Sequence, residues 1–110
     1  MPNTHSDQEK IRQMRELRDA KVKSHLGQYA PVWLVDEVPI LNDDALQFNV
    51  VFYHPYYKWV NRRYRFDAFN NALYQQGQTS ISEDEALFNL EEKKPYIAAE
   101  TVNTVDSYGG

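Results

Sequence analysis

Apolar and polar residues alternate through the middle of the chain with the two-residue period of a half-buried strand. Leu46, Phe48, Val50 and Phe52 fall on one side, with Gln47, Asn49, Val51 and Tyr53 on the other. Residues 46–53 therefore predict a strand with one face on a core. Trp59 to Phe66 continues the pattern, with Val60, Tyr64 and Phe66 inward and Trp59, Asn61, Arg63 and Arg65 outward. A one-residue slip would turn every side chain to the wrong face, so the register is open to argument. A five-residue loop from His54 to Lys58 pairs Phe52 with Val60, Phe48 with Tyr64 and Leu46 with Phe66. The other face then pairs Tyr53 with Trp59, Asn49 with Arg63 and Gln47 with Arg65. A tight Pro55-Tyr56 turn would instead set Phe48 against Arg63, so the longer loop is expected. Arg62 fits least. Placed inward by the alternation, it needs a carboxylate at the rim of the core, or the register is wrong.

The flanking stretches read as shorter elements. Ser6-Asp7-Gln8-Glu9 has capping-box spacing and Gly27 follows Leu26, which predicts a helix between them. Its stripe of Ile11, Met14, Leu17, Val22 and Leu26 is diluted by Arg15, Arg18 and Lys21 in the same arc, the pattern of a loosely packed arm or of a helix that docks on an acidic partner. Val32–Val38 reads as a first strand that Pro39 ends or confines to an edge. Asn42-Asp43-Asp44 is turn chemistry. Asp67 reads as the N-cap of a helix over Ala68–Gln76 that buries Phe69, Ala72 and Leu73 and stops at Gly77. Gln78–Ile81 predicts a short strand. Ser82-Glu83-Asp84-Glu85 is a second capping box opening a helix through Leu90, and Pro95-Tyr96-Ile97 a last edge strand. The sum is an α+β domain: a small antiparallel sheet, built as a three-stranded meander with short edge strands, packed by short helices. Residues 1–30 are expected to form an N-terminal helical arm, 31–98 the domain and 99–110 a disordered tail.

Composition narrows the chemistry. The 110 residues include no cysteine, which excludes disulfides, thiolate catalysis and cysteine-based zinc sites and fits a reducing, cytoplasmic setting. No apolar run approaches the roughly 20 residues a membrane span needs, and the opening M-P-N-T-H-S-D-Q-E-K lacks the order of a secretory signal. His5, His25 and His54 have no metal-ligand partner at useful spacing. Asp36-Glu37 and Asp43-Asp44 suit turns better than a cation loop, and Glu83, Asp84 and Glu85 suit a helix N-terminus. The serines lack a nucleophile context and the glycines form no phosphate-cradling loop. Neither a cofactor nor an enzymatic activity is expected.

Charge is the informative feature. The net charge is −4, yet the run from Phe52 to Phe66 holds no acidic residue and much of the aromatic weight. Its expected outer face and loop present Tyr53, Tyr56, Tyr57, Lys58, Trp59, Arg63 and Arg65. Tyrosine, tryptophan and arginine dominate protein-interface hot spots, and arginines beside them favour an acidic partner. The expected function is therefore a non-enzymatic interaction module, an adaptor or regulatory subunit of a larger assembly. Single-stranded nucleic acid is the alternative ligand, since aromatics on a sheet can stack bases while arginines hold phosphates. The acidity of the chain and the scarcity of cations on that face argue against it.

Overall fold

In the computed structural model, which describes residues 4–99 with side chains from residue 6, one sheet carries a helix on each face. The elements are α1 (Thr4–Leu26), β1 (Val32–Ile40), β2 (Ala45–His54), β3 (Lys58–Asp67), β4 (Ala72–Ser80) and α2 (Glu83–Leu90). The strands form an antiparallel meander in the order β1-β2-β3-β4. The expected tail lies, beyond Ala99, outside the described residues.

The register of β2 on β3 is the one the alternation demands. Phe52 pairs with Val60, Phe48 with Tyr64 and Leu46 with Phe66, while Tyr53, Asn49 and Gln47 meet Trp59, Arg63 and Arg65. His54 and Lys58 also pair, leaving Pro55–Tyr57 as the turn, with Lys58 in the left-handed region at φ 65°. A turn followed by a left-handed residue matches the twist of the strands it joins. Leu46, Phe48, Val50, Phe52, Val60, Tyr64 and Phe66 form the main core with Met14, Val22 and Leu26 of α1. Val51, Ala86 and Leu90 form a second, smaller core beneath α2 on the opposite face.

Several expectations need correction. The first capping box does not start its helix, because α1 begins at Thr4 and runs through Ser6. The second one does: the Ser82 hydroxyl accepts the Glu85 N–H at 3.0 Å. The helix expected over Ala68–Gln76 is instead a turn and β4. Asp67 accepts the Asn70 N–H at 3.2 Å, and Asn71 adopts a left-handed φ of 52°. That reverses the chain so that residues 72–80 pair back along β3. Phe69, expected to be buried, is 82% exposed. Long-range pairing has overridden a local run of helix formers. Gly77 lies within β4 and stops no helix. Of the two effects expected of Pro39 the second holds: β1 continues to Ile40 and is confined to an edge. The expected strand at 95–97 is a single bridge between Ile97 and Val32.

The cations of α1 explain how it sits. It packs along the sheet, and where a loose seam was expected Arg18 is 2% exposed, its guanidinium 4.9 Å above the Phe48 ring and 5.5 Å from that of Tyr96. Arg18 Nη2 donates to Glu37 of β1 at 2.8 Å and its Nε to Asp19 at 2.6 Å, while Arg15 Nε donates to the other Glu37 oxygen at 2.6 Å. The Tyr96 hydroxyl donates to Asp19 as well. Leu17, assigned to the apolar stripe, is left half exposed. Arg62 is also buried, but no carboxylate meets it: it donates to Gln78 Oε1 at 2.7 Å and the Tyr64 hydroxyl at 2.8 Å, 5.0 Å above the Phe52 ring. Both guanidiniums lie against ring faces and donate hydrogen bonds, though the buried Arg18 Nη1 has no acceptor.

Removing one partner of a buried ion pair strands the other. Arg18→Ala is therefore expected to lower the unfolding free energy by about 3 kcal/mol, and Arg18→Met, which refills the volume but strands the same carboxylates, by less than Arg18→Ala yet more than Arg18→Met/Glu37→Gln, measured by urea denaturation. Burial pushes the Glu37 carboxyl up, but its hydrogen bonds to Arg15 and Arg18 outweigh burial and hold it below the ordinary range. Its contribution is thus present above the unfolded carboxylate range and is lost as pH falls below about 4. Burial, then the bond to Asp19, push the Tyr96 hydroxyl above its ordinary range. That contribution is present below about pH 10 and is lost as pH rises further. Stability measured against pH should lose its acid slope in part in Glu37→Gln and its alkaline slope in Tyr96→Phe.

Candidate functional site

The residues singled out on the hairpin do not share one surface. At the turn, Tyr56 and Tyr57 are 79% and 53% exposed and their rings meet edge to face at 5.0 Å. The Tyr57 ring lies 4.8 Å from that of His54, His54 stacks on Tyr29 at 5.1 Å, and Tyr29 stacks on core Phe52 at 5.0 Å. A column of rings thus runs from the core to the tip on the α1 side of the sheet. His54 also fixes the turn backbone: its Nδ1 accepts the N–H groups of Tyr56 at 3.0 Å and Tyr57 at 3.2 Å. Lys58, exposed beside them, completes the tip.

Tyr53 and Trp59 project from the opposite face, as the alternation requires. Their rings meet edge to face at 5.5 Å, and Tyr53 is half exposed. Trp59 is partly covered, because it packs with Trp33, Val35 and Ile81 against the small core under α2. The Trp33 indole donates to the Lys93 carbonyl at 3.2 Å, which ties the segment after α2 to β1. Helix α2 therefore covers part of the aromatic end of this face.

Arg63 and Arg65 sit four and six residues along β3 from Trp59, a separation of roughly 13 and 20 Å at strand rise. Arg65 Nη2 donates to Asp43 at 3.2 Å. Arg63 is exposed and, among the described residues, its guanidinium has no hydrogen-bond or ion-pair partner. Around it lies a bed of amides: Asn49 Nδ2 donates to Asn61 Oδ1 at 2.7 Å and Gln47 Nε2 to Gln76 Oε1 at 3.1 Å. Half-exposed Tyr74 pairs with Arg65. Tyr74 and Gln76 escaped the sequence reading because the apparent helix over 68–76 hid their alternation with Leu73 and Gln75. Tyr29 lies in the short turn Gly27–Tyr29 between α1 and β1, where no periodicity marks it.

A separate cleft of about 620 Å³ lies between α1 and residues 96–99, with Asp19, Lys23 and Tyr96 as its titratable lining. Asp19 there is already engaged by Arg18 and Tyr96. Among the described residues no group of three histidine or acidic side chains is placed to hold a metal, and no helix is long and apolar enough to cross a membrane.

The tip geometry depends on an acceptor at position 54. His54→Ala is expected to speed hydrogen exchange at the Tyr56 and Tyr57 amides and to cost about 1 kcal/mol. His54→Asn, which keeps an acceptor, should recover part of both effects. Comparison of the chain with protein-family models, curated proteins and solved structures finds no match.

Proposed function

We propose that this protein is a non-enzymatic interaction module, an adaptor or regulatory subunit of a cytoplasmic assembly, that binds a protein partner through the β2–β3 hairpin. The observation that carries the reading is the tyrosine pair at the hairpin tip, exposed yet held in place by the ring column and by His54. An exposed tyrosine that is already ordered loses little conformational entropy on binding and still buries a large amphipathic area. Tyr53, Lys58 and the accessible part of Trp59 extend the contact, while Arg63 and Arg65 supply a positive region for an acidic partner. Single-stranded nucleic acid is the less favoured ligand. Base stacking and phosphate contacts alternate along one strand, whereas here α2 covers part of the aromatic end and the arginines lie further along β3.

The reading is tested by isotope-resolved co-purification from the native source with the wild-type chain and with Tyr56→Ser/Tyr57→Ser. The double variant, altered only at exposed positions, is expected to keep its thermal midpoint and to lose at least one protein that the wild type retains at raised salt. The same protein set on both chains, or capture of nucleic acid alone with steep salt dependence, overturns it.

A further inference from the structure

The two edges of the sheet are not protected alike. On β1 the edge is blunted by Pro39, by a bulge between Leu34 and Asp36, and by Ile97, whose N–H and carbonyl both bond Val32 at 2.9 Å. On β4 there is a bulge but neither a proline nor a covering segment: among the described residues no strand pairs its outer edge. The nine residues from Ala72 to Ser80 hold no proline and no charge. A row of backbone donors and acceptors in that state is a template for another strand.

The bulge in β4 does more than twist this edge. Tyr64 pairs with Gln75 and Arg63 with Gly77, so Gln76 is the extra residue. Without it, a glutamine would stand beside Arg63; with it, a glycine does. A Cβ built on Gly77 meets nothing within 4 Å. The partnerless Arg63 therefore looks out over an open notch of about 250 Å³ walled by Asn49, Asn61, Gln76 and Thr79. Arg63 also lines an adjoining depression together with Asp36, Val38, Gln47 and Asn49, but the two charged groups make no ion pair within 4.0 Å.

We infer that the outer edge of β4 receives an extended strand of an acidic protein partner, one of whose carboxylate side chains reaches Arg63 through the notch above Gly77. This deepens the proposed protein-binding function and rests on it. Strands pair about 4.8 Å apart, so an added strand would run roughly 10 Å from β3, within the combined reach of an arginine and a glutamate. A guanidinium without an ion-pair partner selects a carboxylate, which it can grip with two parallel hydrogen bonds. A second copy of the chain fits worse. Antiparallel β4 pairing would bring only Tyr74, Gln76 and Thr79 to that face, leaving both Arg63 side chains unpaired.

The probe is a synthetic peptide of about nine residues alternating valine and threonine around a central glutamate, a length matched to a single strand. Amide chemical shifts and hydrogen exchange of the full chain report its site. Binding is expected to shift and protect amides within residues 72–80, and to weaken roughly tenfold when the peptide glutamate becomes glutamine. Arg63→Gln should produce the same loss without further weakening the glutamine peptide, and Gly77→Leu should close the notch with the same result. No change at 72–80, equal affinity for the two peptides, or concentration-dependent protection of β4 without peptide overturns the inference. If it fails while Tyr56→Ser/Tyr57→Ser still loses its partner, only the edge site falls. If that pair of substitutions changes nothing, the hairpin reading falls instead.

Discussion

The pairing of β2 with β3 is the constraint on which the rest of this structure depends. Because side chains alternate strictly across a strand, the match of Phe52 to Val60 and Leu46 to Phe66 sends four large apolar residues of β2 to the α1 side at once. The same register sends Tyr53, Asn49, Gln47, Trp59, Arg63 and Arg65 to the other side. A slip of one position would exchange the two sets, burying two arginines beneath α1 and exposing phenylalanines. No local interaction could offset that cost.

Three arginines show how context decides what the same side chain does. Arg18 and Arg62 are buried, and each lies over aromatic rings while two of its nitrogens donate to oxygen acceptors, Arg18 Nη1 being left without one. Arg18 joins α1 to β1 through Glu37, and the neighbouring Asp19 joins it to Tyr96, so the charged cluster holds the helix where a purely apolar seam would be thin. Arg63 has the same chemistry but neither ring nor acceptor. It is left facing solvent because the bulge in β4 sets a glycine opposite it. The first two act within the fold; the third is available to something outside it.

Helix α2 gives the outer face its organisation. By closing over Val51 with Ala86 and Leu90, it takes part of Trp59 into a second core, so that the aromatic end is partly covered while Arg63 at the arginine end stays exposed. The tyrosines of the turn belong to neither, since His54 and Tyr29 draw them to the α1 side. The hairpin thus offers an ordered aromatic tip, a flat amide and arginine bed, and an unpaired strand edge beside that bed.

The amino-acid sequence by itself determined the class of fold, the limits of β2 and β3 to within a residue or so, their register and the second capping box. Those features depend on short-range patterns: a two-residue period, a turn of fixed length and a serine three residues before a glutamate. The sequence also marked Tyr53, Tyr56, Tyr57, Lys58, Trp59, Arg63 and Arg65 as unusual, though not how they are divided. Only the tertiary structure decided that residues 72–80 are a strand. Their alanine, leucine and glutamine content favours helix locally, and only the turn at Asn71 and the open side of β3 make pairing better. It alone seated Arg18 in the core, because a guanidinium is tolerable there only with Phe48, Tyr96 and Glu37 converging from three distant parts of the chain. The exposure of Arg63 likewise came from a bulge one strand away, a displacement that no periodicity along β3 records.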